Sequence, residues 1–393
     1  MRNLIASTLI VLSIAFAKQA VAQELEGRFY PAQSTYSLGE PLLFWVEIKN
    51  VGHEPVMLFD KGPGECFDRF DFSVQRVTAQ GVSAACGHAW DTTCGDKRYE
   101  LKPGDAYETD WPLNFWYRIE KPGQYQASIR RRFGVYTAST GFKEWSVHSD
   151  FDFQVTDADP ATVETVMRKF EADLQSKNPE VRHDALDVIE TTAPPYMEDT
   201  ALRLAHAEDA FTVLHAVGAL SLLNSAAARA ALAQVITTRH ADSPDEIDAR
   251  CLAIHGLGRS GDSSYLTVLG PYSEHSETCE SEMAMIAIAT LGESTAVGQL
   301  QTFLQSSKPK LRKNAAQALR FTMSPEAVDV LIAMLRDKDE EVRKQAAASL
   351  TELTGHSVGD SRPALQAENL WRTWWQNHRD TKLIDPPEEI CRL

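Results

Sequence analysis

The segment 336–355, RDKDEEVRKQAAASLTELTG, decides the fold of the second half of this 393-residue chain. Within it, Val342, Ala346 and Leu350 are spaced by four residues, which places them on one face of an α-helix. The alanine between the two larger side chains leaves room for a neighbouring helix to approach closely. The mostly acidic run Asp337–Glu341 precedes the stripe and favours a helix N-terminus, where the helix dipole stabilises negative charge.

The same stripe occurs five more times upstream, at intervals of 28 to 37 residues. Such an interval is typical of helix pairs, and short apolar segments such as AVDVLIAMLRD at 327–337 supply the first helix of a pair. Gly258 and Gly292 follow the last apolar residue of two stripes, which predicts left-handed helix ends there. We therefore predict an α-α superhelix of about six helix pairs. The six stripes are Val181/Ala185/Ile189, Thr212/Ala216/Leu220, Ala249/Ala253/Leu257, Met283/Ala287/Leu291, Leu311/Ala315/Leu319 and Val342/Ala346/Leu350.

The pattern is clearest in SSKPKLRKNAAQAL at 306–319 and RDKDEEVRKQAAASL at 336–350. In these segments the chain resembles HEAT repeats, especially those of bacterial proteins, and the resemblance covers about residues 161–355. It implies a stack of helix pairs that presents an elongated surface to partners. It implies no particular activity, because HEAT arrays serve in scaffolding, transport, regulation and, in a few families, catalysis.

The first 22 residues have the pattern of a signal peptide. Arg2 precedes an apolar run of 14 residues at 4–17, and Ala20 and Ala22 form a small-x-small cleavage site. The run is too short to span a bilayer, and no later stretch is long and apolar enough to do so. We expect cleavage near Ala22 and export of a periplasmic or secreted protein that is not membrane-spanning.

Residues 24–157 alternate between apolar and polar positions, with Gly- and Pro-rich turns every 10–15 residues. This pattern predicts at least seven short strands and an antiparallel β-sandwich. The segment YSLGEPLLFWVEIKNVG at 36–52 is similar to the openings of bacterial extracellular immunoglobulin-like domains. The resemblance implies a fold and no activity. We therefore predict an immunoglobulin-like β-sandwich over 24–157, followed by the helical domain over 158–378 and an extended tail over 379–393.

The β domain is rich in tryptophan. Trp45 and Trp145 lie within alternating strands and are expected in the core. The segment DWPLNFWY at 110–117 carries more aromatic rings than one strand face can bury. Its candidate surface of Trp111, Trp116 and Tyr117 either packs against the helical domain, which we favour, or forms a platform for a peptide or sugar.

The helical domain ends in a second group of tryptophans. Trp371, Trp374 and Trp375 are spaced by three and four residues, which places Trp371 on the same helix face as both others. The last repeat of a stack must be covered, because its apolar face has no further neighbour. We therefore predict that this helix is the cap.

The six cysteines of an exported chain are expected to be mostly oxidised. Three lie in each half, so full pairing within the chain requires an odd number of bridges between the halves. Candidate pairs are Cys86 with Cys94 and Cys251 with Cys279, and Cys391 on the tail can cross to the first domain. The alternative leaves one or two thiols free. The six candidates are Cys66, Cys86, Cys94, Cys251, Cys279 and Cys391.

The formal net charge of −16 at pH 7 is spread over both halves, which argues against nucleic acid as a partner. The chain lacks H-E-x-x-H, G-x-S-x-G and phosphate-loop motifs. None of the cysteines has zinc-ligand spacing. His53-Glu54 is the one His-Glu dipeptide, and it lies in the β domain, whereas iron-binding HEAT proteins carry such dyads on their helices. We therefore predict no enzyme activity, no catalytic or metal-binding residues and no cofactor.

The function predicted from these features is non-enzymatic binding of a protein or peptide on the concave face of the HEAT stack. The negative charge favours a neutral or basic partner whose binding weakens with salt. One alternative is glycan or cell-wall binding through the aromatic residues of the β-sandwich. Another is a proteinase inhibitor built on the same domain.

Overall fold

A computed structural model describes residues 24–59, 70–76, 83–84, 98–240, 242–275, 279–292, 295–358 and 364–384. The chain divides into two compact units between Met167 and Arg168. The described residues up to Met167 form the β unit, and those from Arg168 form the helical unit. Residues 1–22, with the predicted signal peptide, lie outside the described residues, as do Cys66, Cys86, Cys94 and Cys391.

The β unit is built from one three-stranded and one six-stranded sheet. The first has the order β1-β3-β8; the second has the order β2-β11-β10-β4-β7, and β5 also pairs with β10. β6 pairs with β9. The strands are β1 (Leu25–Pro31), β2 (Thr35–Ser37), β3 (Leu43–Asn50), β4 (Val56–Phe59), β5 (Phe70–Arg76), β6 (Ser83–Ala84), β7 (Arg98–Leu101), β8 (Ala106–Pro112), β9 (Tyr117–Arg118), β10 (Gly123–Thr137) and β11 (Gly141–Thr156).

Alternation along the strands produces one core shared by the two sheets. In β3, Phe44, Val46 and Ile48 are buried, and the residues between them face away from the core. Apolar residues of β10 and β11 join the same cluster. β1 lies against β11 because Gly27 has no side chain: a Cβ there would lie 2.7 Å from Val147 Cγ2.

One strand pair departs from the predicted antiparallel domain. β2 runs parallel to β11, with Tyr36 opposite Val155, whereas the other pairs in the described residues are antiparallel. β2 is a three-residue piece of the connection between β1 and β3, and it adds to the free edge of β11. Ser37 fixes it there, because its hydroxyl donates to the carbonyl of Asp157 at 3.2 Å and accepts from the Asp159 N–H at 2.6 Å.

The described helices number thirteen, and the helical repeat predicted from the sequence is confirmed. α2, α4, α6, α8, α10 and α12 carry the six stripes and contact one another in chain order. Each of the last five is paired with the helix before it, whereas α1 crosses the division between the units. The helices are α1 (Pro160–Asp173), α2 (Pro179–Thr192), α3 (Glu198–Leu204), α4 (Ala210–Leu223), α5 (Ala226–Thr238), α6 (Pro244–Gly258), α7 (Leu266–Leu269), α8 (Glu280–Leu291), α9 (Ala296–Leu304), α10 (Pro309–Ala318), α11 (Pro325–Met334), α12 (Glu340–Thr354) and α13 (Ala364–Asn377).

The middle alanine of every stripe is at most 1 % exposed, as close helix packing requires. Polar side chains also define the starts of these helices: Asp339 accepts hydrogen bonds from the backbone N–H groups of Glu341 and Val342. The acidic run before Val342 is therefore a helix cap.

The two glycines predicted to end helices in the left-handed region do not do so. Gly258 is the last residue of α6, where a Cβ would lie 2.8 Å from the Cβ of Ala287 on α8. Gly292 has φ −80°, in the right-handed region. Left-handed residues end α2, α4 and α12 instead, at Ala193, Asn224 and Gly355. Close helix packing therefore explains Gly258.

The cap helix α13 packs against α11. Trp371 and Trp375 are each 1 % exposed, whereas Trp374 is half-buried. Among the described residues, no helix combines the length and the apolar character needed to cross a membrane.

Candidate functional site

Polar side chains lie between consecutive second helices of the stack. The most buried group at its N-terminal end joins α2 to α4. Glu190 of α2 is 4 % exposed, and its Oε2 lies 2.5 Å from Nδ1 of His215 on α4. Asp187, one turn earlier on α2, places Oδ1 3.6 Å from the same nitrogen. Two carboxylates therefore face one imidazole at this helix–helix contact.

A glycine makes room for the buried carboxylate. A Cβ at Gly218 would lie 2.5 Å from Cγ of Glu190, so any larger residue at 218 would displace the Glu190 side chain. Glycine in a helix interior costs about 1 kcal/mol relative to alanine. Here the absence of a side chain admits Glu190 between the two helices.

The pair of carboxylates favours the protonated imidazole. Burial alone would lower the pKa of His215, but the negative charges of Glu190, Asp187 and Asp245 outweigh burial and raise that pKa. Asp245 lies in the first turn of α6. Carboxylates of α2 and α6 therefore both act on the imidazole carried by α4.

Aromatic rings continue the group toward the surface. The ring centroids of His183 and Phe211 are 4.4 Å apart, and those of Phe211 and His215 are also 4.4 Å apart. His183 is exposed and Phe211 half-buried. We call His183, Asp187, Glu190, Phe211 and His215 the acidic–aromatic cluster.

This cluster can bind a positively charged group at its exposed rim. The side chain of Asp187 is 32 % exposed, and Asp184 beside it is also exposed. An aromatic face next to carboxylates attracts a guanidinium or ammonium group by both charge and ring quadrupole. The buried Glu190–His215 pair holds the rim in place.

Further along the stack a second buried carboxylate joins consecutive second helices. Arg250 of α6 places Nη2 2.7 Å from Oε1 of Glu280 on α8, and His275 Nδ1 lies 2.7 Å from Oε2 of the same carboxylate. Cys251, which follows Arg250, and Cys279, which precedes Glu280, form a disulfide bond. Because α8 is buried around almost its whole circumference, it offers little surface to a partner.

The aromatic residues predicted as a surface in the β unit pack against its core. Trp111 and Trp116 have ring centroids 6.0 and 6.2 Å from that of Phe44, and Tyr117 packs against the same core. The guanidinium of the buried Arg131 lies 4.6 Å from the centroid of the Trp111 ring. All three side chains of the predicted surface are half-buried. The contact with the helical domain predicted for them stays a prediction.

The two tryptophans expected in the core, Trp45 and Trp145, lie in different environments. Trp145 is half-buried against the core, with its ring centroid 6.3 Å from that of Phe133. Trp45 lies on the opposite face of β3 from Phe44 and Val46, and it is half-buried outside the core cluster. The strand alternation that buries its two neighbours turns Trp45 outward.

The described residues contain no group of three or more His, Cys, Asp or Glu side chains arranged to hold a metal ion.

The raised pKa of His215 predicts how stability depends on pH. The folded chain holds the His215 proton more tightly than the unfolded chain, so this stabilisation is fully present below about pH 6.5, the ordinary pKa of histidine. It is lost as pH rises through the folded pKa. We expect the free energy of unfolding to fall over that interval by about 1.4 kcal/mol per unit of pKa increase. Urea unfolding of the full chain at a series of pH values measures this slope.

Replacing His215 with glutamine should remove that part of the slope, whereas the same change at the exposed His206 should leave it unchanged. Equal slopes in the wild type and His215→Gln would contradict the assignment.

Comparison with known proteins agrees with the helical architecture. Residues 274–351 match the family model for HEAT repeats. No curated protein sequence matches the chain.

Three of the solved structures with some likeness to the chain have TM-scores too low to transfer an activity or a partner. An engineered protein is 18 % identical, with TM-score 0.32, covering 47 % of this chain and 94 % of that chain. The complex of CpcE and CpcF of phycocyanin lyase from Nostoc sp. PCC7120 is 17 % identical, with TM-score 0.32, covering 53 % and 82 %. Human deoxyhypusine hydroxylase is 19 % identical, with TM-score 0.26, covering 60 % and 96 %. The family match shows that the part of the helical unit between 274 and 351 is similar to HEAT repeats.

Proposed function

We propose that this chain is an exported, non-enzymatic scaffold that binds a basic segment of another protein on the face formed by its second helices. The HEAT match at 274–351 supports a role in protein interaction, because such stacks present a long continuous surface. The apolar run at 4–17 and the small residues before Gln23 support export.

The acidic–aromatic cluster is the observation that favours a basic partner. Asp184 is exposed and Asp187 is partly exposed on α2, whereas the buried Glu190 is paired with His215. The whole chain carries a net charge of −16, which attracts a basic segment over the screening length of the solution. An arginine or lysine of the partner would lie against the Phe211 ring and pair with Asp187.

Binding is expected to depend on these two aspartates. In affinity capture from the exported fraction, Asp184→Asn combined with Asp187→Asn should reduce recovery of the partner by about 10-fold, since each charge pair contributes on the order of 0.5–1 kcal/mol. Raising the salt from about 0.01 M to about 0.15 M shortens the screening length from about 30 to about 8 Å and should weaken capture further.

A charge-matched control is available in the β unit. Asp150 and Asp152 are exposed on β11, and replacing both with asparagine changes the net charge by the same amount. Capture by this control should equal that of the wild type. Equal losses in both double variants, or capture insensitive to salt, would refute binding at the cluster.

We also propose that the β unit is an immunoglobulin-like sandwich. The shared core between the three- and six-stranded sheets supports this assignment. The alternative of a glycan platform gains no support, since Trp111 and Trp116 are half-buried against Phe44.

A further inference from the structure

A cleft of about 320 Å³ lies in the helical unit, on helices that the acidic–aromatic cluster does not use. Its walls come from the end of α3, from α5 and from the first turn of α6. The volume corresponds to about ten water molecules at about 30 Å³ each. It falls within the size range of small-ligand sites, at the lower end.

The floor of the cleft is formed by small apolar residues. Ala205, Ala231 and Val235 line it and are each less than 8 % exposed. Ala231 and Val235 are one turn apart on α5, so they form a continuous strip along the floor. A ligand therefore meets apolar side chains on one side.

The polar wall is rich in groups that both donate and accept hydrogen bonds. Gln234 and Thr238 line the cleft from exposed positions of α5. His206, which follows α3, and His240, which follows α5, also line it. The Gln234 amide and the two imidazoles can each donate or accept, and the Thr238 hydroxyl, which donates to the carbonyl of Gln234 at 2.8 Å, can accept. This is the composition that recognises hydroxyl groups.

The two charged residues of the cleft compensate each other. Arg239 Nη1 lies 3.6 Å from Glu246 Oε1, beyond hydrogen-bond distance. Arg239 is held by donating to the carbonyl of Ala207, and Glu246 Oε2 accepts from the N–H of Asp242 at 3.1 Å. A hydroxyl placed between them can accept from the guanidinium and donate to the carboxylate.

From this lining we propose that the cleft binds a neutral, hydroxyl-rich small molecule, namely a polyol or a single sugar unit. An anion would be repelled by Glu246 and a cation by Arg239, whereas a hydroxyl satisfies both. The apolar floor accommodates the C–H face of a sugar ring, and the polar wall accommodates its hydroxyls.

Titration of the full chain with glycerol, glucose and inorganic phosphate tests this proposal. The imidazole Cε1–H signals of His206 and His240 report on occupancy by nuclear magnetic resonance. We expect glucose to shift both signals with a dissociation constant of about 1 mM or somewhat weaker, as suits a small ligand with few contacts. Phosphate should shift neither. Glucose as a free sugar and as the terminal unit of maltotriose distinguishes a soluble metabolite from the end of a glycan.

Two variants within the cleft test whether glucose binds there and not elsewhere on the surface. Ala231→Leu adds three carbon atoms to the floor and should weaken glucose binding at least 10-fold, whereas Ala230→Leu, at the neighbouring exposed position of α5, should bind as the wild type does. Gln234→Ala, also at an exposed position, should weaken binding about 3- to 10-fold through one lost hydrogen bond. It keeps the test valid if Ala231→Leu is poorly folded. No shift with glucose and glycerol, a shift with phosphate alone, or unchanged binding in Gln234→Ala would overturn the proposal.

Discussion

Replacing Glu280 with alanine is expected to lower the free energy of unfolding of the helical unit by about 3–5 kcal/mol. Glu280 is 2 % exposed and pairs with both Arg250 and His275 at 2.7 Å. Its removal leaves the guanidinium of Arg250, itself 9 % exposed, without its counter-charge. An uncompensated buried charge is costly because water no longer solvates it. Urea unfolding of the full chain, followed by far-ultraviolet circular dichroism, measures the loss.

Glu282 provides the control on the same turn of α8. Its carboxylate accepts a hydrogen bond from the side-chain amide of Gln317 at 2.8 Å and is half-buried. Glu282→Ala should cost about 1 kcal/mol, as expected for loss of one neutral-donor hydrogen bond. Similar losses in the two variants would show that burial of the Arg250–Glu280 pair has no special role.

Removing both charges together shows whether the Arg250–Glu280 pair adds net stability or only offsets the cost of burying the two charges. Arg250→Met combined with Glu280→Leu should cost less than Glu280→Ala alone, because apolar side chains replace the pair without leaving a buried charge. The loss in the double variant is expected to be about 2–3 kcal/mol smaller than the sum of the losses in Arg250→Met and in Glu280→Leu. A double variant that loses the full sum of the two single losses would contradict this account.

The helical repeat could be predicted because its signal is local. Every stripe consists of three residues within nine positions, in one α-helix except for Leu319, which begins the 3-10 turn directly after α10. The cap was predictable for the same reason, since Trp371, Trp374 and Trp375 lie on adjacent turns. Helix periodicity does not depend on which helix is the neighbour.

The buried charges could not be predicted, because each joins residues that are distant in sequence. Glu190 and His215 are 25 residues apart, and no motif relates them. A local sign did exist: Gly218 stands in the middle of an apolar helix, where glycine is unfavourable, and the structure shows that Glu190 occupies the space. Arg250 and Glu280 directly adjoin Cys251 and Cys279, so the candidate pairing of these two cysteines already indicated that the two charged residues lie close together.

In the β unit, alternation predicted the strands but not the environment of every aromatic ring. Trp111 packs on Phe44 beneath Arg131 of the opposite sheet, a contact that depends on how the two sheets are superposed. Sequence patterns within one strand carry no information about the facing sheet. This explains why the contact of the aromatic residues of 110–117 with Phe44 could not be predicted from their own segment.

Replacing Trp371 with alanine is expected to destabilise the helical unit by about 3–5 kcal/mol. Trp371 is 1 % exposed on α13 and meets the ring of His356 edge-on, with centroids 5.2 Å apart. Its loss opens a cavity under the helix that covers the end of the stack. Far-ultraviolet circular dichroism during urea unfolding of the full chain measures the change.

Trp374 is the matched control, three residues later on the same helix. It is half-buried and stacks on His356 with centroids 4.3 Å apart, so Trp374→Ala removes the same number of atoms from a more accessible site. It should cost about 1–2 kcal/mol, because water can fill part of the space and less apolar area is lost. The contrast between the two variants tests the cap directly. If capping depends on burial of the indole against the last repeats, Trp371→Ala must be the more damaging change, and the reverse order would exclude that mechanism.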